Sequence, residues 1–234
     1  MIVFLRLLCA HILTDFYFQT AKVCENKNRI NEFTGWKYQI LHALVHSLSA
    51  YLVLVDFTNW IIPLFVFVTH FIVDIIKSLV VYSKVLQFES DYRVLLIDQV
   101  IHIFVLCILA FNIDCDGTII CCSENEYIWA CVISYLIILR PTSIFIGKFV
   151  QQWQEDLDIE VGLKDAGKWI GYAERILALT FVLLNQYEAL GFLIAAKSLL
   201  RFQDKDTKRT EYVLIGTLFS FGIAILLGLF VKLL

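Results

Sequence analysis

Long apolar runs fill the chain, and several of them are interrupted by polar pairs four residues apart. The pattern predicts eight helices, at about residues 2–19, 36–57, 60–83, 91–112, 127–150, 166–184, 187–202 and 211–233. The segment AKVCENKNRINEF breaks the pattern after the first helix, and QFESDYR leads into the fourth. Pro63 stands near a helix start, where proline is tolerated. Pro141 is expected to kink or restart the fifth helix. The stretch QQWQEDLDIEVGLKDAG reads as an interfacial turn or short helix, and FQDKDTKRT as the most hydrophilic loop.

The polar interruptions in the first four helices share one spacing. His11 and Asp15, His42 and His46, His70 and Asp74, and Asp98 and His102 are each four apart. That spacing puts both members of a pair on one helix face, about one turn apart. All five histidines of the protein belong to these pairs. Ionisable groups in apolar runs are costly unless they meet partners, water or metal. Four such pairs with one spacing point to one shared site.

Composition sets the medium. Hydrophobic residues make up 59% of the 234 residues and charged residues 18%, too little polar surface for a soluble protein of this size. The fold class is therefore all-α, a polytopic membrane bundle of about eight transmembrane helices, with the lipid bilayer as its surroundings. It divides into a four-helix half carrying the site, 1–112, and a second helical half, 113–234, within one membrane domain. The opening MIVFLRLLCAH imitates a signal peptide but lacks a basic run and a small-x-small cleavage pattern, so it reads as the first membrane helix. A net charge of −3 without a dense basic tail argues against a nucleic-acid partner. The seven cysteines form no C-x-x-C pair; those in apolar runs read as packing, while Cys115, Cys121 and Cys122 could pair in an oxidising compartment.

Lys and Arg alternate along the connections. They occur in the one–two (Lys22, Lys27, Arg29), three–four, five–six and seven–eight (Lys205, Lys208, Arg209) connections and are absent from the others. The positive-inside rule then makes the basic set cytoplasmic and leaves both termini outside. On that topology all four polar pairs fall in the cytoplasmic half of the membrane, at similar depth.

Imidazole and carboxylate are ligands for zinc and other borderline divalent ions, and inward-facing residues on several helices are a known way to hold them. His11, Asp15, His42, His46, His70, Asp74, Asp98 and His102 are the candidate ligands of a divalent metal, zinc first. Eight exceed one tetrahedral ion; they suit two ions, or one ion with supporting residues and a base. Asp98 or Asp15 is the candidate general base. Lys77, one turn beyond Asp74, and Lys197 and Arg201, four apart on the seventh helix, are candidates for binding an anionic, phosphate-bearing substrate. Glu174 and Arg175 lie in the middle of the sixth helix, where Glu174 is a candidate partner for Lys197, Arg175 or Arg201, and Gly167, Gly171 and Gly191 could allow close helix packing.

The stretches AHILTDFYFQT, LHALVHSL, THFIVDIIKS and LIDQVIHI resemble the bacterial membrane family catalogued as domain of unknown function 3307, which implies no activity. The later stretch GKWIGYAERILALTFVLLNQYEALGFLIAAKSLLRF resembles the same kind of protein. His11, Asp15 and Gln19 form a His-x-x-x-Asp-x-x-x-Gln that resembles the helix-borne motif of the zinc-dependent phospholipase C and P1 nuclease group, whose N-terminal metal-binding residue has no counterpart here. The expected function is a membrane-embedded, zinc-dependent hydrolase of a phosphoester or lipid-linked substrate, reached from the cytoplasmic side of a bacterial inner membrane. The alternatives are a proton or metal-ion transporter using a His/Asp relay, and a membrane scaffold with a structural metal.

Overall fold

A computed structural model describes residues 1–27, 29, 31–57, 59–82, 92–115, 126–156, 166–201 and 207–234, without the side chains of 82, 114–115, 154–156, 200–201 and 207–209. The described residues form nine α-helices and group into two compact units, Met1–Trp129 and Ala130–Leu234.

In the first unit α1 (Ile2–Ile12) continues into a π-helical turn, Leu13–Phe18, where Gln19 N bonds Thr14 O at 3.1 Å. Gln19 is extended, and the chain turns by 96° into the short α2 (Ala21–Lys27). Then come α3 (Phe33–Leu54), α4 (Ile61–Tyr82) and α5 (Tyr92–Cys115). Helix α1 packs against α3 and α5, α3 against α4, and α2 lies on α3.

The reason these helices assemble is visible in steps of four. Val3, Leu7, His11 and Asp15 form one stripe on α1, and His42, His46, Ala50 and Leu54 one on α3. Ile62, Val66, His70 and Asp74 follow on α4, and Asp98, His102, Leu106 and Ala110 on α5. The apolar half of each stripe enters one buried core. The polar half continues on the same face, so packing the apolar ends brings the polar ends together. Arg6, a buried charge in α1, donates from Nη1 to Leu54 O at 2.6 Å and so satisfies the end of α3, where Val55 takes a left-handed conformation.

Chain passes to the second unit through α6 (Glu126–Val150), which leads into a 3-10 segment, Gln151–Asp156. Helices α7 (Ala166–Leu183), α8 (Tyr187–Arg201) and α9 (Thr207–Lys232) follow. Pro141 neither ends nor restarts α6. Its missing N–H leaves Ile137 O without a helical donor, and the Thr142 hydroxyl supplies one at 2.7 Å. The core joins Ile138 to Ala178, Leu179, Val182, Phe221 and Ala224. Gly228 is where close packing needs glycine, because a Cβ there would stand 2.7 Å from Val182 Cγ1. Gly167 and Gly191 face open space, so the close-packing role expected of them falls to Gly228.

Eight crossings are not found. Among the described residues four helices are long and apolar enough to span a membrane (α4, α5, α6 and α9), or five if α1 and α2 make one bent span. Helix α3 has 22 residues, but Lys37, Gln39, His42, His46, Ser47 and Ser49 dilute its apolar character. Helix α7 carries Lys168, Glu174 and Arg175. The 15 residues of α8 reach only about 22 Å, short of the hydrocarbon core. The regular alternation of basic connections depended on eight crossings. Lys27, counted there as a loop cation, is buried. Exposed apolar residues are nevertheless abundant, with Phe65, Ile72, Ile76, Ile97, Phe104 and Phe111 facing outward on α4 and α5, the surface expected of lipid-facing helices.

Candidate metal centre

All eight residues singled out as ligands lie in one cluster inside the first unit. Asp15, placed by the π-helical turn, is its centre. Its Oδ1 stands 3.1 Å from His42 Nε2, 3.0 Å from His46 Nε2 and 3.9 Å from His70 Nε2. Its Oδ2 stands 3.5 Å from His11 Nε2 and accepts from Gln99 Nε2 at 3.0 Å. A π turn widens the helix locally and is frequent at functional sites. Here it is anchored by Thr14, whose hydroxyl lies 2.9 Å from Ala10 O and 3.1 Å from Ser49 Oγ.

The other two carboxylates each have a lysine. Lys27 Nζ donates to Asp74 Oδ2 at 3.0 Å, and Lys77 Nζ to Asp98 Oδ2 at 2.7 Å. His102 Nε2 lies between them, 3.7 Å from Asp74 Oδ1 and 3.6 Å from Asp98 Oδ1. With neutral imidazoles the three aspartates and two lysines leave one negative charge, and among the described residues no lysine is hydrogen-bonded to Asp15. A buried carboxylate bonded by imidazoles and an amide is costly unless a cation or proton joins it.

The imidazoles form a stack. His46 and His70 have ring centroids 3.5 Å apart and His70 and His102 4.3 Å, while His11 stands 5.2 Å from His46 and 5.1 Å from His102. Among the described residues, buried His70 Nε2, His102 Nε2 and Asp98 Oδ1 have no hydrogen-bond partner. Buried polar atoms without partners are uncommon and require a reason. A cavity of about 10 Å³ lies among His11, His46, His70 and His102, roofed by Leu7, Val66 and Leu106. That is room for about one water-sized occupant. Ligand atoms of Asp15, His42, His46 and His70 all fall within 4.8 Å of one another, as do those of His11, His70 and His102, and those of Asp74, Asp98 and His102.

Four contributors were not named as site residues, although Gln19 belongs to the His-x-x-x-Asp-x-x-x-Gln motif. Lys27 enters because the 96° turn folds α2 back over the cluster. Its position is held by Gln39, whose amide donates to Lys27 O at 3.0 Å and to Ser78 Oγ at 2.8 Å. Gln19, with its amide oriented to suit its neighbours, accepts from Lys27 Nζ at 3.0 Å and donates to Asp15 O at 2.9 Å. Gln99 follows Asp98 directly and bridges Asp15 to His11, which lies 3.3 Å from its Oε1. Gln19 and Gln39 carry a signal in the sequence, as polar residues four after Asp15 and three before His42. Lys27 carries none, since a lysine in a polar connection reads as solvated.

The remaining candidates lie elsewhere in the chemistry. Lys77 is partly exposed and held by Asp98 at the edge of the cluster. Lys197 belongs to the second unit, where it pairs with Glu174 and lines a cavity built wholly from that unit. Arg201 ends α8, and its side chain is outside the described residues. Of the cysteines considered for pairing, Cys121 and Cys122 also lie outside them.

Comparison with known proteins gives a family and no activity. Residues 3–128 match the family described as "Protein of unknown function (DUF3307)", and the chain belongs to it. No curated protein and no solved structure matches the chain. The matched span is nearly the whole of the first compact unit, cluster included.

Proposed function

We propose that the first unit holds a single divalent ion, zinc by the chemistry of its ligands, and is a metal-dependent hydrolase of phosphoester or lipid-linked substrates. The observation that carries the reading is the convergence of His42, His46 and His70 on Oδ1 of Asp15, the carboxylate of the cluster to which no lysine is bonded among the described residues. Three nitrogens and one oxygen suit a borderline ion such as zinc. The partnerless Nε2 of His70 fits the same occupant. Two carboxylates already neutralised by Lys27 and Lys77 favour one ion over two. Such an ion would supply Lewis acidity and activate water near neutral pH.

The chain's own residues would do the rest. Gln99 fixes Asp15, and Lys27 fixes Asp74. Asp98 is the proposed general base, because Lys77 engages only its Oδ2 and leaves Oδ1 open to accept a proton. Lys77, at the edge, would meet the substrate phosphate. The reading keeps a cytoplasmic approach in a bacterial inner membrane and both termini outside, which four crossings allow. A second reading has one observation of its own. The adjacent series His46–His70–His102, running from one carboxylate of the cluster toward the others, is a line of ionisable groups that a relay for protons or metal ions could use.

Two assays on the full-length protein separate them. Asp98→Asn should keep the ion and lower hydrolysis of a chromogenic phosphodiester by roughly 100-fold or more. Wild-type turnover in that variant would remove Asp98 as base. Metal-loaded protein that hydrolyses no phosphoester but carries zinc or protons across liposomes would replace hydrolysis with transport.

A further inference from the structure

The second unit contains a cavity of about 770 Å³ between α6, α7 and α9, with Lys197 of α8 at its wall. Among the described residues its charged lining is Arg140, Lys168, Arg175, Lys197 and one acid, Glu174, a sum of three positive. Glu174 is engaged by Lys197. Aliphatic residues such as Ile144, Ile170 and Val213 form the rest of its surface.

Arg175 is the informative residue. It is 4% exposed, yet it donates only to neutral oxygens. These are Ile138 O and Leu139 O beside Pro141, and the hydroxyls of Ser143 (2.6 Å) and Ser220 (3.1 Å). Its hydrogen bonds all go to dipoles, and the charge of Glu174 acts on it only through space, so a directly bound anion would add compensation. Its surroundings are open on one side because residue 171 is glycine. A Cβ there would stand 3.1 Å from Arg175 Nη1, in the wall of the cavity. Tyr172 lies between two of the cations, 5.7 Å from Lys168 Nζ and 5.5 Å from Arg175 Cζ, and holds them on one side of the cavity. With Trp169 exposed next to Lys168, this end of α7 has the aromatic and basic character of a membrane–water interface.

We infer that this cavity binds a phosphate-bearing anion, with Arg175 and Lys168 as its principal cationic contacts. The aliphatic walls leave room for the chain of an amphiphile, so the phosphate is that of a lipid headgroup or free in solution. The site belongs to residues 140–220 and does not depend on the metal reading of the first unit.

Binding to the full-length protein in neutral detergent tests it, with inorganic phosphate and a short-chain anionic phospholipid as probes and a zwitterionic phospholipid as reference. Wild-type protein should prefer the anionic lipid to the zwitterionic one. Lys168→Glu, at an exposed position, should weaken binding roughly tenfold. Glu174→Gln, which removes the one acid among the described lining residues, should strengthen it, an effect a purely structural role would not give. Competition by inorganic phosphate identifies the phosphate alone as the ligand; saturation by lipid without such competition identifies the headgroup with its chain. Equal binding of anionic and zwitterionic lipid without phosphate binding, an unchanged Lys168→Glu, or weakening by Glu174→Gln would each overturn the assignment. Metal content of the first unit is expected to stay constant throughout.

Discussion

The two units bury charge by opposite means. In the first, three aspartates, five histidines and two lysines compensate one another inside a cluster whose cavity is about 10 Å³. In the second, Arg175 is tied to backbone carbonyls and hydroxyls, and the neighbouring cavity is about 770 Å³. A closed cluster of mixed sign with one carboxylate left over selects a small cation. An open cavity whose described lining carries four cations and one acid selects a larger anion. Both are assembled by helices whose apolar residues form a separate core, so each site should be alterable without dismantling the other unit.

That separation can be broken in graded steps. Arg175→Ala should have the largest effect on stability. It strips donors from Ile138 O, Ser143 and Ser220 and removes a tie between α6, α7 and α9, a loss of about 3 kcal/mol. Thermal unfolding in detergent would show it, and metal content per folded chain should not change. Loss of metal with Arg175→Ala would mean that the units are not independent.

Gly228→Ala is a smaller perturbation of the same unit. Placing Cβ 2.7 Å from Val182 Cγ1 costs about 1–3 kcal/mol of overpacking, against about 1 kcal/mol gained from alanine's helix propensity. A net destabilisation of about 1 kcal/mol is expected. Combined with Val182→Ala the same substitution should cost less than it does alone, because Val182 Cγ1 is gone while its Cβ (2.9 Å) and Leu179 Cδ1 (3.2 Å) remain. Equal losses in both backgrounds would place the strain elsewhere.

Much of the first unit is legible in the sequence because its information lies in spacing. Steps of four such as Val3–Leu7–His11–Asp15 state both that a helix forms and which face turns inward. The extent of membrane crossing is less legible. Helix α3 was read as a span from its length, but its inward face carries the site, and those polar residues remove the apolar character a span needs. Lys27 was hidden for a different reason. Its burial depends on the extended Gln19 and the 96° turn, a backbone event no side-chain periodicity records. Arg175 was visible as a charge in mid-helix, and its partners were not, because they are neutral oxygens on two other helices, α6 near Pro141 and α9.

The account rests on the lone carboxylate of the first unit, and metal quantification tests it most directly. Full-length protein purified without chelators should contain one divalent ion per chain, and Asp15→Ala should lower affinity for it by roughly 100-fold or more while leaving the protein folded, since the apolar half of the α1 stripe is untouched. Folded wild-type protein that carries no divalent ion and takes none up, or an Asp15→Ala protein with wild-type metal content, would contradict the claim that Asp15 and its histidines are a metal centre.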